Sequence, residues 1–192
     1  MSDSLTSHFN GWENSIKAWE KCHRHGRFSL NCSLLTILSM PNTYSKMYCQ
    51  VVFAVKYRNA RIENSFKSEL FSVIGNLIKE AGGELLLVNG VEDHVHCLFR
   101  FFPKNSISDI VKVAKSKSSK WLNETNYLSH RFEWQSGFGV FTYSEKEIKN
   151  VFEYVKNQEK HHSKMTFHEE YLLMLKAHKV DFLPEYLFKE ME

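Results

Sequence analysis

Four residues of this chain have types and spacings that could do chemistry together: His94 and His96, one residue apart, and Tyr154 and Gln158, four apart. In an extended strand alternate side chains share a face. Val91 to Phe99 would therefore set His94 and His96 side by side and turn Asp93, Val95 and Cys97 the other way. Two imidazoles on a stiff strand are half of a divalent-metal site. On a helix, residues four apart stack on one face about 6 Å apart along the axis. Two imidazoles and the Gln158 amide oxygen make three neutral ligands for a divalent cation, with positions left for water and a phosphate oxygen. A tyrosine one helical turn away could then attack that phosphate. Each piece has a plainer use: a histidine pair can rest in a core, a helical tyrosine commonly borders one, and a single glutamine is usually solvated.

The surrounding pattern supplies elements to hold these residues. Met47 to Tyr57 is β-branched and aromatic, which predicts a buried strand. Phe66, Leu70, Phe71, Ile74, Leu77 and Ile78 recur at three and four residues, as on an amphipathic helix that stops at Gly82-Gly83. Glu84 to Val88 predicts a second strand, Asn89-Gly90 a hairpin turn, and Val91 to Phe101 a third strand carrying the histidines. Ser106 to Asp109 begins a helix running to about Asn123. Trp134 to Tyr143 reads as a fourth strand with Gly137 and Gly139 in it. Ser144 to Glu147 is a capping box that opens a helix to about Met165, and Thr166 to Glu169 opens a last helix through Lys179. The order predicts an α+β, ferredoxin-like (split βαβ) antiparallel sheet with helices on one face, followed by the tyrosine-bearing helix and a final helix. The other sheet face is expected to stay free.

Composition limits the function classes. At 43% hydrophobic residues the chain can fill a core, and a net charge of +3 does not by itself announce a nucleic-acid partner. The four cysteines show no CxxC spacing, so a reducing, cytoplasmic setting without disulfides is expected. No apolar run approaches the roughly 18 residues of a membrane span. Residues 1–39 hold no sustained period beyond a short amphipathic stretch, Trp12 to Cys22. Cys22, His23, His25 and Cys32 fit no zinc spacing, so 1–39 reads as a poorly ordered extension, and 40–192 as the folded domain.

With these residues in place, a family resemblance emerges. His94-Val95-His96 resembles the His-hydrophobic-His motif of HUH endonucleases, and Tyr154-Val155-Lys156-Asn157-Gln158-Glu159-Lys160-His161-His162 resembles the tyrosine helix of single-tyrosine transposases of the IS200/IS605 family, REP-associated relatives included. Met40-Pro41-Asn42-Thr43-Tyr44, Ser118-Ser119-Lys120-Trp121, Trp134 to Gly139 and Phe167-His168-Glu169-Glu170 agree in order, so the match covers about residues 40–175. Residues 1–39 depart from typical members.

The resemblance implies a homodimeric transposase that cuts and rejoins single-stranded DNA at hairpin-flanked ends. Tyr154 would attack the scissile phosphate, leaving a 5′-phosphotyrosine and a free 3′-hydroxyl. His94, His96 and Gln158 would hold Mg²⁺ or Mn²⁺, and the tyrosine helix of one chain would serve the histidines of the other. Such a protein is expected in the cytoplasm with the nucleoid and not at a membrane. Lys112, Lys115, Lys117 and Lys120 cover one helical arc that could track phosphates, and Lys104 could extend the strip. Tyr127, Phe132 and Trp134 could stack bases, or pack in the core. His161 and His162 receive no ligand role. Three other readings stay open: a domesticated relative acting on dispersed palindromes, a catalytically silent nucleic-acid-binding module, and a metal hydrolase without covalent catalysis.

Overall fold

The computed structural model describes residues 44–56 and 61–188. The chain divides at Thr43/Tyr44 and the described residues belong to the second unit. The readings made for residues 1–39, including the boundary at Met40, lie outside the described residues.

Strand β1 (Met47–Ala54) is followed by helix α1 (Lys67–Glu80) and a hairpin of β2 (Glu84–Gly90) and β3 (His94–Phe101). Then come α2 (Ile107–Glu124), β4 (Gly139–Tyr143), α3 (Ile148–Lys156), the short α4 (Gln158–His162) and α5 (Phe167–Ala177). The four strands are ordered β2-β3-β1-β4 and every pairing is antiparallel, as the split βαβ reading expects.

Register decides which residues share a face. Val52 lies opposite His96 and Ala54 opposite His94 in β1/β3. Cys49, Val51, Phe53, Val55, Val95, Cys97 and Phe99 therefore point to the other side, where Leu70, Ile74 and Ile78 of α1 and Ile110, Val111 and Ala114 of α2 cover them. Gly82, just past α1, takes φ +92°, the left-handed turn that ends the helix.

The histidine-bearing face is not free. Val52 and Phe141 pack on Met174 and Leu175 of α5, and Leu98 packs on Val151 and Val155 of α3. The tyrosine helix and the last helix close over the sheet because each carries an apolar stripe that would otherwise meet water.

The hairpin turn is also displaced. Asn89 and Gly90 still pair, with His96 and Val95, and the chain turns over Val91 to Asp93. The turn is fixed from outside: Val55 N–H donates to the Asp93 carbonyl at 2.7 Å and Ile62 N–H to that of Glu92 at 2.8 Å. A Cβ on Gly90 would stand 2.2 Å from the His94 carbonyl oxygen, so only glycine lets the strands approach this closely where the first histidine begins.

Cys49 and Cys97 are buried free thiols. Among the described residues no helix is long and apolar enough to cross a membrane.

Candidate active site and metal centre

Both histidines are fully buried at the middle of the sheet, on the face covered by α3, α4 and α5. Their rings are 4.9 Å apart. Asp93 does not turn away as the alternation predicted. It sits in the turn before β3, and its carboxylate accepts from His94 Nδ1 at 2.6 Å. That bond places the imidazole proton on Nδ1 and leaves Nε2 with its lone pair facing inward. His94 is further clamped by Phe167, stacked on it at 4.1 Å.

His96 Nδ1 meets the side-chain amide of Gln50 at 2.6 Å, and the other end of that amide accepts from the Tyr143 hydroxyl at 3.0 Å. With Nε2 of Gln50 toward His96, the imidazole carries its proton on the inner nitrogen. Turned over, Gln50 accepts from Nδ1–H and frees the inner nitrogen as a ligand. Burial holds the His96 pKa down at about 4, so the ring is neutral at pH 7.

The predicted single helix from Glu145 to Met165 is two. The residues before Ile148 form turns, and α3 ends at Lys156 because Asn157 leaves helical geometry (φ −99°, ψ 24°) before α4 resumes. Asn89, next to the hairpin turn, holds this break. Its side-chain amide donates to the Val155 and Lys156 carbonyls at 2.9 and 3.0 Å, taking two of the orphan acceptors of a helix end. Tyr154 is thereby fixed against the sheet, its ring 6.2 Å from its own chain's His96. We expect Asn89→Ala to lower stability by about 1–3 kcal/mol, the worth of two such bonds. On this domain that is several degrees of melting temperature, measurable by circular dichroism.

His94, His96, Tyr154 and Gln158 converge on Glu170 of α5, a residue the spacing argument missed. It is 1% exposed. One carboxylate oxygen, Oε1, accepts from the Tyr154 hydroxyl in a very short contact and from Gln158 Nε2 at 3.0 Å. The other, Oε2, lies 3.0 Å from His162 Nε2, 3.3 Å from His94 Nε2 and 3.4 Å from His96 Nε2. His162 Nδ1 donates to the Met165 carbonyl at 2.9 Å. A signal for Glu170 did exist in the sequence. It is an acid four residues before Met174 on the apolar stripe of α5, where a charge needs partners.

The electrostatics follow from this geometry. Burial opposes ionisation of Glu170, yet His162, His94 and His96 together hold its pKa far below the usual carboxylate range. Burial also opposes protonation of His94, but Asp93 and Glu170 outweigh it and raise its pKa. Burial and then the Glu170 charge push the Tyr154 phenol well above its ordinary value, so in this arrangement Tyr154 is a hydrogen-bond donor and not a nucleophile.

The residues fit a metal ion. His94 Nε2, His96 Nε2 and Gln158 Oε1 are buried and make no hydrogen bond, a state that costs about 1–3 kcal/mol for each atom unless something binds there. One ligand atom from each of His94, His96, His162 and Glu170 lies within 4.8 Å of the others. Beside them a cavity of about 380 Å³ is lined by Gln50, Tyr143, Tyr154, His161, Glu170 and Met174, among others, and gives access to the Tyr154 side of the site.

The lysine arc divides. Lys112 and Lys120 border a groove of about 1080 Å³ between α2 and the 128–138 segment. Lys117 lies 3.8 Å from Glu80. Lys115 turns inward instead, donating to the Gln135 and Gly137 carbonyls at 2.7 and 2.5 Å, and burial lowers its pKa to about 8. It ties the chain ahead of β4 to α2. Lys104 is exposed in the turn before α2. Of the three aromatics, Phe132 and Trp134 are core: each packs edge-on at 4.7 Å in the Phe53–Trp134–Phe132 group, and Trp134 Nε1 donates to Ser118 Oγ. Tyr127 is exposed and donates to Glu69.

A four-stranded split βαβ sheet thus presents a histidine pair to a tyrosine-bearing helix, and comparison specifies the family. Residues 43–158 match the family described as "Transposase IS200 like". The chain belongs to that family. It is 28% identical over 126 residues to the transposase for insertion sequence element IS200 of Salmonella typhimurium, spanning 62% of this chain and 82% of that protein. It is 24% identical over 115 residues to the ISDra2 transposase TnpA of Deinococcus radiodurans, spanning 56% and 81%. Among solved structures it is similar to a putative transposase from Deinococcus radiodurans (23% identity, 61% of this chain and 94% of that one, TM-score 0.47). It is also similar to a REP-associated tyrosine transposase bound to a REP hairpin (14%, 63% and 72%, TM-score 0.49).

Proposed function

We infer that this transposase cuts and rejoins single-stranded DNA at hairpin-flanked ends through a covalent 5′-phosphotyrosine on Tyr154. The observation that carries the reading is the convergence, in one buried site, of a phenol, two inward-facing imidazoles and an amide. Tyr154 gives up its phenol proton to water as it attacks the scissile phosphorus, the Oη–P bond forms, the P–O3′ bond breaks, and the departing 3′ oxygen takes a proton from water to become a hydroxyl. The phosphotyrosine retains the bond energy of the diester, so the reverse attack by a 3′-hydroxyl rejoins DNA without a nucleotide cofactor. His94, His96 and Gln158 hold a divalent ion, Mg²⁺ or Mn²⁺, which when bound polarises the phosphate. For Tyr154 to act, its hydroxyl must leave Glu170. Lys112 and Lys120 face the groove beside α2 and contact the DNA backbone there, with Lys104 and Lys117 as outlying contacts. Residues 40–192 form the catalytic domain, working in the cytoplasm at the nucleoid.

Labelled single-stranded hairpin DNA incubated with the full chain and Mn²⁺ is expected to give a covalent adduct on a denaturing gel. Cleavage without an adduct would favour a metal hydrolase, and binding alone a silent module. The proposed assembly is a homodimer in which each tyrosine serves the partner's histidines. Because Tyr154 here stands beside its own His96, such service requires the tyrosine helix to swing to the partner. Mixing Tyr154→Phe with His94→Ala chains tests this: restored activity in demonstrated mixed dimers means the helices exchange.

A further inference from the structure

The donor atoms around Glu170 exceed what a His-His-Gln site needs. His94 and His162 both commit Nδ1–H to a fixed acceptor, Asp93 in one case and the Met165 carbonyl in the other. Each ring therefore has only Nε2 left to meet the same carboxylate oxygen, at 3.3 and 3.0 Å. His96 Nε2 stands 3.4 Å from that oxygen as well. Lone pairs facing an anion repel unless positive charge lies between them. A proton serves one imidazole at a time, whereas a divalent ion serves all four atoms at once. Donors about 2.1 Å from one ion are at most about 4.2 Å apart. The observed 4.8 Å spread therefore needs closure of about half an ångström.

We propose that His162 and Glu170 are direct ligands of the ion, beside His94 and His96, and that this imidazole-rich shell selects Mn²⁺-type transition ions over Mg²⁺. The inference rests on the reading of this site as the transposase metal centre. Mg²⁺ sheds water reluctantly and prefers oxygen, while imidazole nitrogen favours the first-row transition ions. Glu170 then has two tasks. Oε2 reaches the ion and Oε1 holds the Tyr154 hydroxyl, so the metal ligand and the nucleophile are joined through one carboxylate.

The test is metal binding, measured on the full chain with no DNA present. Mn²⁺ titrated into metal-stripped protein is followed by calorimetry, and electron spin-echo spectroscopy counts imidazole nitrogens on the bound ion. Three are expected, falling to two in His162→Ala. His162→Ala and Glu170→Gln are each expected to weaken Mn²⁺ binding at least about 10-fold. Displacing Mn²⁺ should need Mg²⁺ at least about 100-fold in excess. Two nitrogens on the unmodified protein, or affinity unchanged in Glu170→Gln, would overturn the proposal and leave Glu170 as an internal plug. Equal competition by Mg²⁺ would overturn the selectivity. The nitrogen count on the unmodified chain decides the matter even if a variant misfolds. A phosphotyrosine adduct from a two-nitrogen centre would sink this inference and leave the proposed function standing. Three nitrogens with no adduct in any metal would do the reverse.

Discussion

Tyr154→Phe is expected to remove the covalent DNA adduct and to lower strand cleavage by roughly 10⁴-fold or more, the scale on which losing a nucleophile acts. The substitution deletes one oxygen and keeps the ring, so contacts with His96 and His161 survive. What changes in the folded protein is Glu170 Oε1, which loses the Tyr154 hydroxyl and keeps Gln158 Nε2. A carboxylate that still has one donor and three imidazoles near it stays ionised, so the fold and Mn²⁺ affinity should move little, within about 3-fold for the metal. This separates the nucleophile from a supporting tyrosine: loss of adduct with metal binding retained assigns Tyr154 to the chemistry. An adduct that persists in Tyr154→Phe, located by mass spectrometry on another residue, would refute the assignment. Tyr143 is the control. It also borders the cavity, but its hydroxyl is committed to Gln50 and burial raises its pKa to about 12. Tyr143→Phe should therefore leave the adduct in place.

Local periodicity carried most of the fold, and the histidine pair with it. β3 alternates so regularly that His94, His96 and Leu98 had to share a face. The α1 stripe ends at a glycine that only a left-handed turn explains. The failures share a cause: each depended on a contact between elements distant in the chain. The hairpin turn moved because Val55 and Ile62 take up the carbonyls of Asp93 and Glu92. The tyrosine helix broke at Asn157, where Asn89 from another strand caps the last carbonyls of α3. Lys115 looked like part of a solvated arc, since spacing on a helix cannot show that two carbonyls from 20 and 22 residues downstream reach it. Glu170 was the largest omission. Its neighbour Glu169 forms the capping box with Thr166, a sufficient local reason for one acid there, and the second acid acquired its meaning only when α5 folded over the histidines.

Removing the other half of the site should act on both metal and chemistry. His96→Ala is expected to abolish cleavage and with it the stabilisation that Mn²⁺ confers. A ligand at about 100 times its dissociation constant stabilises the native state by about 2.7 kcal/mol, or roughly 5–10 °C in a domain of this size. The effect should be large here because β3 contributes two donors while the others come from α4 and α5, so a bound ion ties the sheet to the helices that cover it. Without metal, His96→Ala leaves Gln50 short of a partner and opens space beneath Glu170, which should cost about 1–3 kcal/mol without unfolding the sheet, since Val95, Cys97 and Phe99 on the opposite face are untouched. Hairpin DNA binding should survive, because Lys112 and Lys120 border a groove beside α2, the helix that packs on that opposite face. A variant that binds hairpin, melts a few degrees low and no longer responds to Mn²⁺ places His96 at the ion. If His96→Ala keeps its Mn²⁺-dependent rise in melting temperature, the histidine pair is a core feature and the metal lies elsewhere.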